Sequence, residues 1–436
     1  MTGHDPYAPE SGDASYGVES YDLTLDYRVR TNRLEGTAIL SAVVAAEAVS
    51  SIAIDLVGLR ASRVRVDGDR RTAFSQGPRT LRVKLPRRFS AGERFSVEIV
   101  YAGAPAPRRS RWGSIGWEEL DDGALVASQP TGAPTWFPCN DRPDDRGRMR
   151  IALTADAGYL PVATGRPLSL TRTGGRVTAV SETSVPVATY LAAAHVGRYE
   201  TRTLAGDPRV RVVSPPSLRE RVDRAFADVP DMLALFEDAF GPYPQEDCTL
   251  VVTPDELEIP LEAQGMAVFG VNHLVAAEQR LIAHELSHQW FGNSVGIGRW
   301  RDIWLNEGFA CYSEWMWFER SGRASIAQKA AKHHARLRAL PQDLVLSDPG
   351  PDLMFDDRVY KRGALTLYAL RCAIGETDFA HLLARWTAEY RHRIATPTDF
   401  RALAADIGGD AVIPLLAAWL DGPTLPPLPD PATARR

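Results

Sequence analysis

In the run Tyr21-Asp22-Leu23-Thr24-Leu25-Asp26-Tyr27-Arg28-Val29 every odd position is apolar and every even one polar, the period of a strand with one buried face. The same alternation returns at Val64 and Val66, at Leu81, Val83 and Leu85, and at Phe95, Val97, Ile99 and Tyr101, with Asp67-Gly68 and Ala91-Gly92 as turn punctuation. These runs predict a mostly antiparallel β-sheet domain over residues 15–200. From about Ser217 the period changes. Val222, Ala225, Phe226, Val229, Met232, Leu233 and Phe236 fall on helical spacing until Gly241-Pro242-Tyr243-Pro244 stops the run. Residues 248–253 read as one short apolar strand, after which helical patterns dominate to Leu420. A second, mostly helical domain over 201–420 follows. Residues 1–14, rich in Gly, Pro, Ser and Asp, read as a flexible N-terminus, and 421–436 as a proline-rich tail, either an irregular strap or disordered. Internal repeats are absent.

Composition narrows the class. With 436 residues, 44% hydrophobic and 24% charged, the chain is neither collagen-like, nor disordered, nor a disulfide scaffold, and it is long enough for more than one core. The polar opening Met1-Thr-Gly-His-Asp-Pro lacks the basic head and apolar run of a secretion signal, and no apolar stretch approaches a bilayer's span. No membrane partner and a cytoplasmic location are therefore expected. Net charge is −5, with acids interspersed among arginines and lysine only at 84, 329, 332 and 361. That pattern offers no one-sided basic stripe for nucleic acid. Cys139, Cys248, Cys311 and Cys372 lie far apart with no C-x-x-C pair, so free, mostly buried thiols are expected and no cysteine metal site.

The chemistry concentrates in Leu281-Ile-Ala-His284-Glu285-Leu-Ser-His288-Gln289-Trp290-Phe291-Gly292-Asn293. Histidines four apart share one helix face, roughly 6 Å apart along the axis, so both imidazoles can reach one zinc ion. Glu285 sits beside the first of them, placed to hold water without ligating metal. A catalytic zinc takes three protein ligands and keeps a fourth position open. The candidate third ligand is Glu307, in Trp304-Leu305-Asn306-Glu307-Gly308-Phe309-Ala310, on a second helix that Asp302 could cap. Glu314 lies seven residues further along the same face, positioned to hydrogen-bond a ligand histidine. The remaining histidines, at 4, 195, 273, 333, 334, 381 and 392, have no partner at metal spacing, and Trp300, Trp304, Trp315 and Trp317 read as core.

These residues resemble the aminopeptidase N family of zinc metallopeptidases, the gluzincins that include the leukotriene epoxide hydrolase/aminopeptidase. The match is His284-Glu285-Leu286-Ser287-His288, eighteen intervening residues, then Glu307 within Trp-Leu-Asn-Glu-Gly-Phe-Ala. It extends over nearly the whole chain. Residues 16–23 resemble the family's opening strand, Phe137-Pro138-Cys139-Asn140-Asp141-Arg142-Pro143 its F-P-C-x-D-x-P segment, and Pro186-Val187-Ala188-Thr189-Tyr190-Leu191 the end of its first domain. The resemblance implies a multidomain β and α+β fold: an N-terminal antiparallel, saddle-like β domain, then a thermolysin-like, mostly helical catalytic domain. It implies one zinc ion and a peptide substrate with a free N-terminus, cleaved at its first peptide bond with Glu285 as general base. The family's Gly-x-Met-Glu-Asn motif is reduced here to Ile259-Pro260-Leu261-Glu262-Ala263-Gln264-Gly265-Met266, so Glu262 alone inherits the grip on the substrate's amine. Gln129 matches a glutamine that helps hold that amine, and Tyr360, in Val359-Tyr360-Lys361-Arg362-Gly363, matches the oxyanion-stabilising tyrosine. Tyr368 reads as packing. The large C-terminal helical domain of long relatives has no counterpart, which implies a more open cleft that a homo-oligomer could close. Epoxide hydrolysis, thermolysin-like endopeptidase activity and a catalytically silent zinc-binding scaffold stand as alternatives.

Overall fold

The computed structural model describes residues 4–204 and 210–429. The chain forms two compact units, one built from residues 4–204, 210–220 and 246–272 and the other from 221–245 and 273–429. The first is β-rich and the second mostly helical.

The alternating runs form the first unit's sheets. Tyr21, Leu23, Leu25 and Tyr27 on the strand Tyr16–Arg28 are buried, as are Leu81, Val83, Val97, Ile99 and Tyr101 on later strands, so the period-2 pattern marks the faces that leave water. Tyr16–Arg28 pairs antiparallel with Arg33–Val44 and parallel with Arg146–Asp156 inside an eight-stranded sheet. A five-stranded sheet follows in which Val210–Ser214, Cys248–Thr253 and Met266–Gly270 run parallel, flanked antiparallel by Glu200–Leu204 and Leu261–Ala263. Every residue of Cys248–Thr253 is buried, which is why this strand reads as a continuous apolar run instead of alternating. Its pairing carries residues 246–272 into the β-rich unit, past the boundary expected near 200.

The N-terminal segment is not loose where it is described. Gly12 N–H donates to Asp55 Oδ2 at 2.8 Å and Asp13 N–H to Asn140 Oδ1, while Asp13 Oδ2 accepts from Ala53 N–H at 2.8 Å. Asp55 Oδ2 also accepts from Asp141 N–H, and Asp141 Oδ1 from the Thr189 hydroxyl. Both carboxyls are buried. Burial pushes Asp55 up to about 7 and, with repulsion from Asp55 added, Asp141 up to about 8.

The second unit contains nine helices among its described residues: α1 (Arg219–Ala225, which starts at the unit's edge), α2 (Val229–Phe240), α3 (Gln279–Ser287), α4 (Trp304–Arg320), α5 (Ile326–Arg338), α6 (Asp357–Ile374), α7 (Glu376–Glu389), α8 (Pro397–Gly408) and α9 (Val412–Leu420). The single run expected before Gly241 is two helices, because Pro230 is tolerated only in a helix's first turn and restarts the chain there as α2. Two glycines set the contact of α4 with α6. A β-carbon built on Gly363 would lie 2.7 Å from the Cα of Gly308, and one on Gly308 would lie 2.8 Å from the Cα of Gly363. The backbones therefore touch directly, one residue from Glu307 and three from Tyr360. Beyond α9 the chain is an irregular strap. Buried Arg362 donates to the carbonyls of Leu344, Trp419 and Pro423, and His334 Nε2 meets the Pro426 carbonyl at 2.8 Å. The part of the tail from 430 onward lies outside the described residues. No described helix is long and apolar enough to cross a membrane, and all four cysteines are buried thiols.

Candidate metal centre

Helix α3 presents His284 and Glu285, and His288 caps it while keeping helical dihedrals (φ −58°, ψ −21°), with its N–H returning to the His284 carbonyl. The two imidazoles thus share a face, with ring centroids 4.8 Å apart. A tight turn reverses the chain, with Asn293 N–H on the His288 carbonyl and Gly292 at φ 108°, a left-handed conformation suited to glycine. Helix α4 then brings in Glu307. Asp302 is not its cap. It closes a preceding 3₁₀ turn, and the cap position is Ile303, which makes no side-chain capping bond.

The ligand atoms of His284, His288 and Glu307 lie within 4.8 Å of one another. Glu307 Oε2 is 3.3 Å from His284 Nε2 and 3.5 Å from His288 Nε2. Two donors each about 2.1 Å from a tetrahedral metal stand about 3.4 Å apart, so both separations from Glu307 match those around a zinc-sized ion. Both rings are oriented from behind: Glu314 Oε1 accepts from His284 Nδ1 at 2.8 Å, and the Phe291 carbonyl from His288 Nδ1 at 3.0 Å. Those bonds turn each Nε2 towards Glu307.

All four of these side chains are buried, and their electrostatics are those of a cation site. Burial opposes the charge on Glu307, but His288 and the hydrogen bonds from both imidazoles outweigh it and hold the carboxyl low. Glu314 is likewise held low against burial, by Lys361, His284 and Arg280. His284 is driven the other way: burial disfavours its charge, yet Glu307 and Glu314 raise it to about 9. Two ionised carboxylates in a dry pocket call for positive charge, which a divalent ion supplies and for which imidazole protons are the competitor.

Glu285, 4% exposed, has a carboxylate oxygen within 4.8 Å of a ring nitrogen of His288. The Tyr360 ring, on α6, stacks towards the His284 ring at 6.0 Å between centroids. In the first unit, Gln129 Nε2 donates to Glu262 Oε1 at 2.6 Å; this pair joins two residues that the sequence singled out separately. Tyr368 is buried. Sequence reasoning missed Lys361 and Arg280, the cations beside Glu314. The one available cue was that Lys361 is among only four lysines in an arginine-rich chain.

The chain is similar to known proteins along most of its length. Residues 18–191 match the Peptidase M1 N-terminal domain and residues 224–419 the Peptidase family M1 domain. A leucyl aminopeptidase of Saccharolobus solfataricus is 24% identical over 94% of this chain and 54% of its own length. Aminopeptidase M1-A of Oryza sativa is 27% identical over 68% of this chain and 36% of its own. The chain thus spans about half or less of the length of these curated relatives. Among solved structures, an M1 zinc metallopeptidase mutant of Deinococcus radiodurans bound to a Tyr-Ser-Ala substrate superposes with a TM-score of 0.90 at 31% identity, covering 97% of this chain and 98% of that one. Yeast LTA4 hydrolase shares the fold, with a TM-score of 0.80 at 18% identity over 95% of this chain and 69% of its own. With both domain matches in order and a relative covered almost end to end, the chain belongs to peptidase family M1.

Proposed function

We propose that this chain is a zinc-dependent aminopeptidase that hydrolyses the first peptide bond of peptides with a free N-terminal amine. The observation that carries the reading is the convergence of His284 Nε2 and His288 Nε2 on Glu307 Oε2 at 3.3 and 3.5 Å, with both Nδ1 atoms already occupied. Bound there, zinc supplies the Lewis acidity that acidifies water and polarises a carbonyl.

The chain's own residues do the rest. Glu285 takes a proton from the attacking water and passes it to the departing amine, acting as base and then acid. Tyr360 donates its hydroxyl hydrogen to the oxyanion as it develops. Glu262, steadied by Gln129, holds the substrate's α-ammonium, a group with a pKa of about 7.7–8.0 and so largely charged at neutral pH. An anchored amine restricts cleavage to the first bond. Four buried thiols, far apart in the sequence, support a reducing compartment, the cytoplasm.

Aminoacyl chromogenic amides, free and N-acetylated, test the reading with and without chelator. Turnover of free amides only, abolished by chelator and restored by zinc, is expected. Equal cleavage of acetylated substrates would indicate an endopeptidase, and no turnover by zinc-loaded protein a silent scaffold.

A further inference from the structure

Behind His284 lies a chain of charges that ends in one lysine. Lys361, on α6, is 6% exposed, and its ammonium lies 3.9 Å from Glu314 Oε1. It donates to Cys311 Sγ at 3.2 Å, and Asp357 Oδ1 stands 4.0 Å away, one helical turn before it. The same Glu314 oxygen accepts from His284 Nδ1 at 2.8 Å, while the other faces Arg280 Nη1 at 3.6 Å. Glu314 is 3% exposed, whereas the Arg280 side chain is 38% exposed, so Lys361 is the cation that shares its dry surroundings.

We propose that Lys361 is a positioning residue for the metal centre, its ammonium holding the Glu314 carboxylate in place and thereby aiming His284 Nε2 at the metal. The inference rests on the zinc reading above and adds a third layer to it. A buried carboxylate that loses its counter-ion is left as an uncompensated charge in a medium that solvates it poorly. It then swings towards the solvent side, where Arg280 stands. His284 Nδ1 loses its acceptor, and the ring becomes free to rotate and to place a hydrogen on the nitrogen that should ligate. Cys311 and Asp357 keep the ammonium from following Glu314 outward. The long unbranched stem of a lysine is needed here, because its compact head fits between a thiol and a carboxylate where a planar guanidinium would not.

The test is zinc affinity, measured by competition with a chromogenic chelator on the full chain. Lys361→Met keeps the stem and deletes the charge; Lys361→Gln is a polar second variant. Both should bind zinc about 10-fold or more weakly, the usual loss when an outer partner of a metal-ligating histidine is removed. In a Glu314→Gln background the same substitutions should change affinity less than about twofold, because the route is already cut. Wild-type zinc affinity in a Lys361→Met or Lys361→Gln protein that melts like wild type overturns the inference alone. Equal losses in both backgrounds also overturn it, because they show Lys361 acting by another path. Failure of the unaltered chain to bind zinc overturns the functional reading and this inference together.

Discussion

Substituting Gly363 by alanine would add one methyl at the point where α6 lies on α4. The new carbon would stand 2.7 Å from the Cα of Gly308, against a comfortable separation of about 3.5–4.0 Å. The obstructing atom is backbone and cannot rotate away, so the helices must part locally by roughly 0.8 Å or more. Overpacking of this kind costs about 1–3 kcal/mol, and exchanging glycine for alanine inside a helix returns about 1 kcal/mol. The net loss, about 0–2 kcal/mol, lowers the melting temperature by only a few degrees in a domain of this size. Activity should suffer more. Tyr360 sits one turn before Gly363 on α6, whereas His284, His288 and Glu307 lie on and beside α3 and on α4. The shift therefore moves the tyrosine relative to three ligands that all lie off α6, and a misplacement near 1 Å costs on the order of 10²-fold. Calorimetry, zinc content and kcat on one preparation check this. A folded Gly363→Ala protein with bound zinc and wild-type kcat would refute the claim that this glycine contact sets the tyrosine's position.

Four further outcomes follow from the site and its surroundings. Glu285→Gln should retain zinc and lose nearly all turnover; normal kcat would remove Glu285 from the proton-transfer role. Tyr360→Phe should lower kcat by about 10²–10³, and an effect confined to KM would contradict the assignment. Stripping zinc with chelator should lower the melting temperature as well as activity, because a ligand at 100 times its Kd stabilises by about 2.7 kcal/mol; identical melting curves would count against a folded-state metal site. The buried acids Asp55 and Asp141, raised to about 7 and 8 by burial, bind protons in the folded state that the unfolded chain has already released. Their stabilisation is complete below about pH 4, the unfolded pKa, and is lost as pH rises towards 8. Stability followed between pH 5 and 8 should fall more steeply in the wild type than in Asp141→Asn, and parallel curves would refute the linkage.

What the sequence made legible follows the range of the interactions. The strand through Tyr21, Leu23, Leu25 and Tyr27 was visible because burial on one face writes a local period. The candidate ligands were visible because a helix converts a spacing of four into one shared face. Long-range pairing leaves no such trace: the parallel register of Cys248–Thr253 with Val210–Ser214, which moves residues 246–272 into the β-rich unit, depends on partners dozens of residues away. Pro230 was a readable break, overridden by the helical spacing on either side of it. The N-terminal residues looked loose by composition, yet Gly12 and Asp13 bond to Asp55, Ala53 and Asn140. Lys361 and Arg280 matter through what they meet across helices, and a single sequence records only their identity.

Arg362 links the strap after α9 to the candidate chemistry. It lies two residues past Tyr360 on α6, and among its acceptors are the Trp419 carbonyl near the end of α9 and the Pro423 carbonyl of the strap. Deleting or straining residues 421–425 would strip partners from a buried guanidinium and let α6 drift. A cut or deletion within the strap should therefore lower specific activity, although the strap itself carries none of the candidate site residues.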